Sequence, residues 1–299
     1  MKQLSILIKR NVKLFFKDKG MFFTSLITPA ILLVLYVTFL GNIYKDSFLN
    51  AINGFAVVKD KLINGCVGGQ LISSILAVSC ITVAFCSNML MVQDKANNTI
   101  NDLLIAPVKP QILALSYFIA TEISTLIICY ISTTICLGYI AIVGWYISFV
   151  EILLILLDVF LLSMMGTAIS SIINFFLTTQ GQISAVGSII SAGYGFISGA
   201  YMPISSFPLG LQKVIMFLPG TYGTSLLRNH ALNGVFNEMS NSGFPIDAVN
   251  NIKNSVDCNL YFFSKQVPIF VMYIVLICAV LLFLGIYILL NVLKFKKSK

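Results

Sequence analysis

Charge is what this chain has least of. Of 299 residues only 10% are Asp, Glu, Lys or Arg, 19 basic and 11 acidic, where an ordinary soluble domain carries roughly 25%. A soluble globule of this length needs charge and amide groups over much of its surface, so the scarcity excludes soluble, disordered and coiled-coil classes. No G-x-x-x-x-G-K-[ST] phosphate loop occurs, so ATP is not bound by that device. There is one histidine, His230, and no Cys or carboxylate cluster at ligand spacing, so no metal site and no cofactor are expected. Nor does any serine or cysteine motif suggest a nucleophile. The net charge of +8 would raise the question of a nucleic-acid partner, but the basic residues gather at the ends of apolar runs instead.

Apolar sequence is what the chain has most of, at 58%. A helix crossing about 30 Å of hydrocarbon needs about 20 mostly apolar residues. Six stretches qualify: about 21–41, 67–92, 111–143, 148–176, 180–202 and 267–293. Lys2, Lys9, Arg10, Lys13, Lys17 and Lys19 precede the first run, and Lys294, Lys296, Lys297 and Lys299 follow the last. This positive-inside pattern places both termini in the cytoplasm and requires an even number of spans; Lys95 and Lys109 then also lie inside. The aromatics of Gly144-Trp145-Tyr146, between the third and fourth runs, suit the outer interface. The expected fold is a single all-α membrane domain, 1–299, of six transmembrane helices in a bacterial plasma membrane. In residues 1–19, Leu4, Leu7, Ile8, Val12, Phe15 and Phe16 fall on helical spacing with lysines opposite, which reads as an amphipathic interfacial helix on the inner leaflet. No A-x-A-like cleavage site follows the first run.

Two loops carry information. In 93–110, Ile100, Leu103 and Leu104 make a narrow apolar stripe, Asn98 or Thr99 can cap the helix, and Pro107 stops it. A short helix along the membrane with its stripe facing away from the protein suits a partner's groove. In 199–234, Gly199-Ala-Tyr-Met-Pro203 closes the fifth run, Phe207-Pro208 follows, and Leu211, Val214, Ile215 and Leu218 build a short amphipathic helix stopped by Pro219-Gly220. That piece is too short to span and reads as an outer re-entrant or interfacial hairpin. Residues 221–265 read as a polar outer loop.

Together these loops resemble the ABC transporter type-2 permease family, the six-span subunits of ATP-driven exporters. Asp94, Lys95, Thr99, Leu103, Leu104, Ala106, Pro107 and Val108 match one family motif. Gly199, Pro203, Pro208, Leu218, Pro219, Tyr222, Leu227, Arg228 and Gly234 match the second in order. The family's Gly before Thr is Asn98 here, a residue that tolerates left-handed backbone, and an expected acid is Asn101. The resemblance implies that 94–107 is a cytoplasmic coupling helix, with Asp94, Lys95, Thr99, Ile100, Leu103, Leu104 and Pro107 receiving the stroke of a separate ATPase subunit. Two ATPase copies would bind the ATP and Mg, and this chain would be no enzyme. It also implies pairing of two permease copies around a central path, with the first and fifth spans at the seam. There the residues agree: Ser184-x-x-x-Ser188 and Gly195-x-x-x-Gly199 give the fifth run small-residue faces. Gly199, Pro203, Pro208, Pro219 and Tyr222 would shape an outer gate for an amphipathic, drug-like or lipid-linked substrate.

Two acids remain inside the spans. Glu122 lies about 16 Å above the inner start of the third run and Asp158 about 15 Å below the outer start of the fourth, at 1.5 Å per residue. An antiparallel pair would bring them together near the midplane. Without a Lys or Arg in either span they should be neutral or face a wet cavity, and so mark the substrate path. Used as a proton relay, the same pair would serve an ion-coupled secondary transporter, a rival weakened by the lack of an inverted repeat. Five cysteines read as small packing residues; Cys66 and Cys258 both fall outside on this topology, which allows a disulfide between them.

Overall fold

The computed structural model describes residues 2–36, 38, 41–52, 60–105 and 108–297. Almost every described residue is helical. Helix α1 (Lys2–Lys17) meets α2 (Lys19–Leu35) at a 74° bend. Asp18 makes the bend an N-cap: its backbone is extended and its carboxylate accepts from the Met21 N–H at 3.1 Å, which satisfies one of α2's orphan donors. After α3 (Gly41–Ile52) come α4 (Asp60–Ser87) and α5 (Met89–Ala96), a nearly continuous run broken at Asn88, then the short α6 (Thr99–Ile105). Pro110 opens α7 (Pro110–Val143) at a position where no N–H is needed. Helices α8 (Phe149–Phe176) and α9 (Gln180–Ile197) each begin with a capping box, Ser148 with Glu151 and Thr179 with Gln182. Beyond them lie α10 (Leu209–Ile215), α11 (Pro219–Asn241), α12 (Ile246–Ser255), a two-stranded hairpin of β1 (Tyr261–Phe262) and β2 (Lys265–Gln266), and α13 (Ile269–Lys297).

Among the described residues, four stretches are individually long and apolar enough to cross a membrane: Asp60–Ala96, Pro110–Val143, Phe149–Phe176 and Ile269–Leu293. The bent pair α1–α2 makes a fifth. Six were expected. The shortfall is the run 180–202, because α9 stops at Ile197 and carries Gln180 and Gln182 in its first turn, with Gly and Ser throughout. Of the first expected run, α2 covers the part up to Leu35, and positions 37, 39 and 40 lie outside the described residues.

Helix α4 is the hub and is buried along nearly its whole length. It touches α2, α3, α7, α8, α9 and α11. Small residues allow this: Gly65, Gly68, Gly69, Ser73, Ser74, Ala77, Ser79, Cys80 and Ala84 let neighbouring backbones approach closely. A Cβ on Gly69 would sit 2.6 Å from the Leu232 side chain and 2.9 Å from the Ala231 carbonyl oxygen on α11. By contrast α13 packs one side on α7, α8 and α11 and leaves most of its apolar surface exposed, as a helix facing lipid should.

The region read as a polar outer loop is the largest correction. Pro219 does not stop a helix but starts α11, 23 residues long, because proline at the first helical position costs nothing. Helix α11 runs antiparallel to α8: Gly223 meets Leu162, His230 meets Asp158, and Asn233 meets Glu151. Its first half is therefore inside the bundle, with Tyr222, Leu226, Leu227, Arg228 and His230 all buried.

The N-terminal helix is amphipathic as expected, but its buried residues, Leu7, Asn11 and Phe15, sit against the protein: α1 packs along α7. Tyr287 near the end of α13 donates to the Ala114 carbonyl at 3.3 Å, so α1, α6, the start of α7 and the end of α13 share one end of the bundle. The hairpin, α10 and α12 share the other.

Candidate coupling and transport site

At the end carrying the termini, the segment expected to receive a partner splits in two. Asp94 and Lys95 belong to the last turn of α5, and α6 begins only at Thr99. Between them Asn98 adopts φ +60°, the left-handed turn expected of it, and donates its N–H to the Lys95 carbonyl at 3.1 Å. Asp94 faces inward. It accepts from Arg10 on α1 at 2.8 and 3.2 Å and from the Tyr117 hydroxyl on α7 at 2.5 Å. Lys95 points toward the end of α8 and donates to the carbonyls of Asn174, Phe175 and Leu177 at 2.7, 2.8 and 3.2 Å, satisfying the last orphan acceptors of that helix. Both side chains thus anchor α5 to α1, α7 and α8 instead of standing free of the protein.

The apolar stripe of α6 is corrected likewise. Ile100 and Leu103 pack partly buried on the main core. Among the described side chains of α6, Asp102 and Ile105 are exposed, the latter 84%. The side chain of Leu104, and all of Ala106 and Pro107, lie outside the described residues.

At the opposite end the second motif closes around one guanidinium. Arg228 is 1% exposed. It donates to Asp257 at 2.9 Å, to Ser74 of α4 at 3.4 Å, and to the Gly199 carbonyl. Asp257 in turn accepts the Ile204 N–H, at 3.0 Å through its Oδ2. Burial raises the Asp257 carboxyl, while Arg228 and the Ile204 N–H pull it back down. Gly199 turns at φ +74°, and a Cβ there would lie 3.0 Å from Ile204. Pro203 precedes a single turn of 3₁₀ helix, Pro208 precedes α10, and the Tyr222 and Thr221 hydroxyls donate to the Met216 and Ile215 carbonyls at 2.6 and 3.1 Å. Gly199, Pro203, Pro208, Pro219 and Tyr222 therefore sit in one fold-back, pinned from α11 by Arg228. Tyr36 at the end of α2 ties on by donating to the Ala200 carbonyl at 3.0 Å.

The expected small-residue seam divides. Gly195 is filled from within, since a Cβ would collide with the Tyr201 ring, and Gly199 belongs to the fold-back. Ser184 and Ser188 remain exposed on α9, donating only to their own helix at Gln180 and Ser184. They line a cavity of about 520 Å³ between α2 and α9, with Met21, Thr24, Thr82 and Phe85. A larger cavity of about 880 Å³ lies further along the same groove, toward the fold-back. Its lining includes Leu32, Tyr36, Tyr44, Gln70, Phe196 and Tyr201. Helices α2 and α9 flank α4, and the groove opens between them.

Glu122 and Asp158 are not a pair. Glu122 accepts from Ser163 and Thr167 of α8 at 2.6 and 2.7 Å. Asp158 accepts from Tyr273 of α13 at 2.7 Å and shares a 2.6 Å hydrogen bond with His230 Nδ1 of α11. The helix rise separates these partner sets, and neither acid lines the α2–α9 cavities. His230, placed by sequence in a loop, is a buried partner of Asp158. Among the described residues no group of three or more His, Cys, Asp or Glu is arranged to hold a metal ion.

Cys66 and Cys258 come together in the smaller core cluster, as free thiols. Burial pushes the Cys258 thiol up to about 12, which leaves little thiolate for exchange at neutral pH.

Sequence reasoning missed Arg10, Tyr117, Asp257 and Tyr273. Arg10 looked like one more basic residue beside the membrane, and Asp257 lay in what read as loop. One signal was available: an arginine inside a motif that ends up buried requires an acid from somewhere in the chain.

No curated protein matches the chain. The family model described as ABC-2 type transporter matches residues 2–231, which takes in the bent α1–α2 pair, the first motif-bearing segment, the second as far as Arg228, and helices α2, α4 and α9 that frame the groove. The chain is a multi-pass, all-α membrane protein that belongs to the ABC-2 type transporter family.

Proposed function

We propose that this chain is the permease subunit of an ATP-driven exporter, moving an amphipathic, drug-like or lipid-linked substrate out of the cytoplasm or the inner leaflet. The observation that carries this reading is the groove between α2 and α9. Its two cavities run along the buried hub helix, and the larger, at about 880 Å³, has the size and apolar lining with a few polar groups that suit such a ligand. On this reading α2 and α9 each complete a crossing, giving six, with both termini in the cytoplasm. A second copy of the chain faces the open groove, with Ser184 and Ser188 at the seam. The fold-back from Gly199 to Tyr222 re-enters the outer half of the bilayer and gates the exit.

Energy enters through α6, where Asp102 and Ile105 are exposed toward an ATPase subunit, one for each permease copy. ATP and Mg bind on that partner, and this chain supplies no catalytic group. Arg10, Asp94 and Tyr117 join α5 to α1 and α7, while Lys95 joins it to α8, so a push on α6, passed through the Asn98 turn to α5, reaches helices on both sides of the hub. Glu122 and Asp158 hold α7 to α8 and α8 to α11 and α13. The ion-coupled alternative needs those acids connected, and their separate partners give it no support.

Purification of the chain from its native membrane tests the reading. A soluble ATPase with a phosphate loop should accompany it, and ATP-dependent export should stop when that loop's lysine is replaced. Export that persists with the ATPase dead, or that follows an imposed proton gradient, would overturn the proposal. Replacing Glu122 with Gln and Asp158 with Asn should leave substrate selectivity unchanged. A changed selectivity in well-folded protein would put the acids back on the path.

A further inference from the structure

The hairpin β1–β2 is built at a conformational cost. Its register pairs Tyr261 with Gln266 and Phe262 with Lys265, leaving Phe263 and Ser264 as a two-residue turn. Both have positive φ, +45° and +69°, in positions where Asn-Gly is the favoured choice. An aromatic residue forced into left-handed backbone marks a place where its side chain is wanted. The ring is 64% exposed. It meets Phe262 at 4.8 Å and Phe217 at 6.2 Å between ring centres, and Phe217 meets Phe262 at 5.2 Å.

Alternation along the strands makes the hairpin two-faced. On one face Tyr261 donates to Asn254 at 3.2 Å and Gln266 to Asn259 at 2.9 Å. On the other stand Phe262 and Lys265, continued by exposed Phe217, Val214 and Leu209 beside Lys213 on α10. A cavity of about 560 Å³ lies between α10 and the hairpin, lined by Leu209, Lys213, Phe262 and Phe263 among others.

Depth tells what covers this face. The bond from Tyr273 to Asp158 aligns α13 with α8. Past that level α8 continues nine residues, to Phe149, and α13 only four, to Ile269. At 1.5 Å per residue the hairpin leaves α13 about 7 Å before α8 ends. At those levels Phe149, Val150, Leu153, Ile269 and Phe270 are all exposed, so the aromatic face stands at the depth of exposed apolar surface on α8 and α13. We propose that the Phe217–Phe262–Phe263 face is an interfacial anchor seated among the phospholipids of this leaflet, with Lys213 and Lys265 on the phosphates of anionic headgroups. Aromatic rings and lysines are the side chains that favour this layer. The proposal goes beyond the transport reading and stands if that reading fails, since it concerns lipid contact alone.

The test uses the full chain in vesicles of phosphatidylcholine with phosphatidylglycerol. Trp145→Phe removes the only tryptophan, and Phe263→Trp supplies a reporter. Its emission should be blue-shifted and quenched by phosphatidylcholine brominated high on the acyl chains, but not by iodide. Red-shifted emission open to iodide, or emission indifferent to both quenchers because a protein partner covers it, would overturn the proposal. Phe263→Gly suits the positive φ and should fold. It should keep its thermal stability in detergent and lose the stabilisation that phosphatidylglycerol gives; retention of that stabilisation also overturns the proposal. Lys213→Gln and Lys265→Gln should each weaken the preference for phosphatidylglycerol about fivefold.

Discussion

Each end of the bundle carries a motif-bearing segment locked by an arginine–aspartate pair, and the two locks are built differently. At the α6 end, Arg10 keeps 27% of its side chain exposed and Asp94 8%. The pair links two helices, and Tyr117 supplies a third contact. At the fold-back end, Arg228 and Asp257 are 1% and 7% exposed, and they also hold the Gly199 carbonyl, the Ile204 N–H and Ser74. Water can replace part of what the first lock provides. Nothing replaces the second, because removing either partner leaves a buried charge together with orphaned backbone groups. On the transport reading proposed above, the segment that moves with each ATP cycle would be held by the replaceable lock, and the segment that gates the far end by the irreplaceable one.

The largest expected effect follows directly. Arg228→Met or Asp257→Asn should destabilise the protein by about 3–5 kcal/mol, read as loss of a monodisperse peak in detergent or a steep fall in Tm. The double variant Arg228→Met/Asp257→Leu should recover only part of this, since the Gly199 carbonyl and Ile204 N–H stay unsatisfied. Full recovery would mean the ion pair alone matters and the fold-back is held by something else. Next in size is Gly199→Ala. A left-handed backbone at φ +74° costs a side-chain-bearing residue about 1–2 kcal/mol, and the new methyl would press on Ile204. A matching fall in Tm is expected, with Asn milder than Ala.

How far these two regions were legible in the sequence differs for the same physical reason. The left-handed turn at Asn98 and the helix after it follow from local rules, because a turn and a cap involve neighbours in sequence. The apolar character of the long runs is equally local, so α7, α8 and α13 came out within a few residues of expectation. The start of α11 at Pro219 was open to either interpretation: proline ends one helix or begins the next, and only burial of the following residues against α4 and α8 decides. Arg228 with Asp257 and Asp158 with His230 are 29 and 72 residues apart, and no periodicity reports such pairings. Gly195 looked like part of a helix-packing face because small residues at a spacing of four suit any close neighbour. Here that neighbour is Tyr201, six residues on.

The exposed lock should yield a smaller change in stability and a larger one in function. Arg10→Ala is expected to cost about 1 kcal/mol or less, because water reaches the pair and Tyr117 still donates to Asp94. Its consequence should appear as a fall in transport per ATP hydrolysed, on the order of 2- to 5-fold, the range that a loss of this size permits. The charge reversal Arg10→Asp/Asp94→Arg should restore part of that ratio, while Arg10→Asp alone should be worse than Arg10→Ala. If Arg10→Ala instead lowers Tm as far as Arg228→Met does, the two locks are equivalent and the contrast between the ends disappears.

The smallest effect concerns access and leaves function intact. Cys86 borders the smaller α2–α9 cavity and is partly exposed, whereas Cys66 and Cys258 are buried beside the fold-back. In single-cysteine variants at pH 7.5, a water-soluble maleimide should modify Cys86 within minutes. It should leave Cys258 untouched until detergent unfolds the chain, since that thiol, pushed up to about 12, stays protonated and sealed. A non-reducing gel of the wild type should show no mobility shift that Cys66→Ser or Cys258→Ser removes. Such a shift would establish a disulfide across the smaller cluster, and the sealed end would then owe its rigidity to a covalent bond as well as to Arg228.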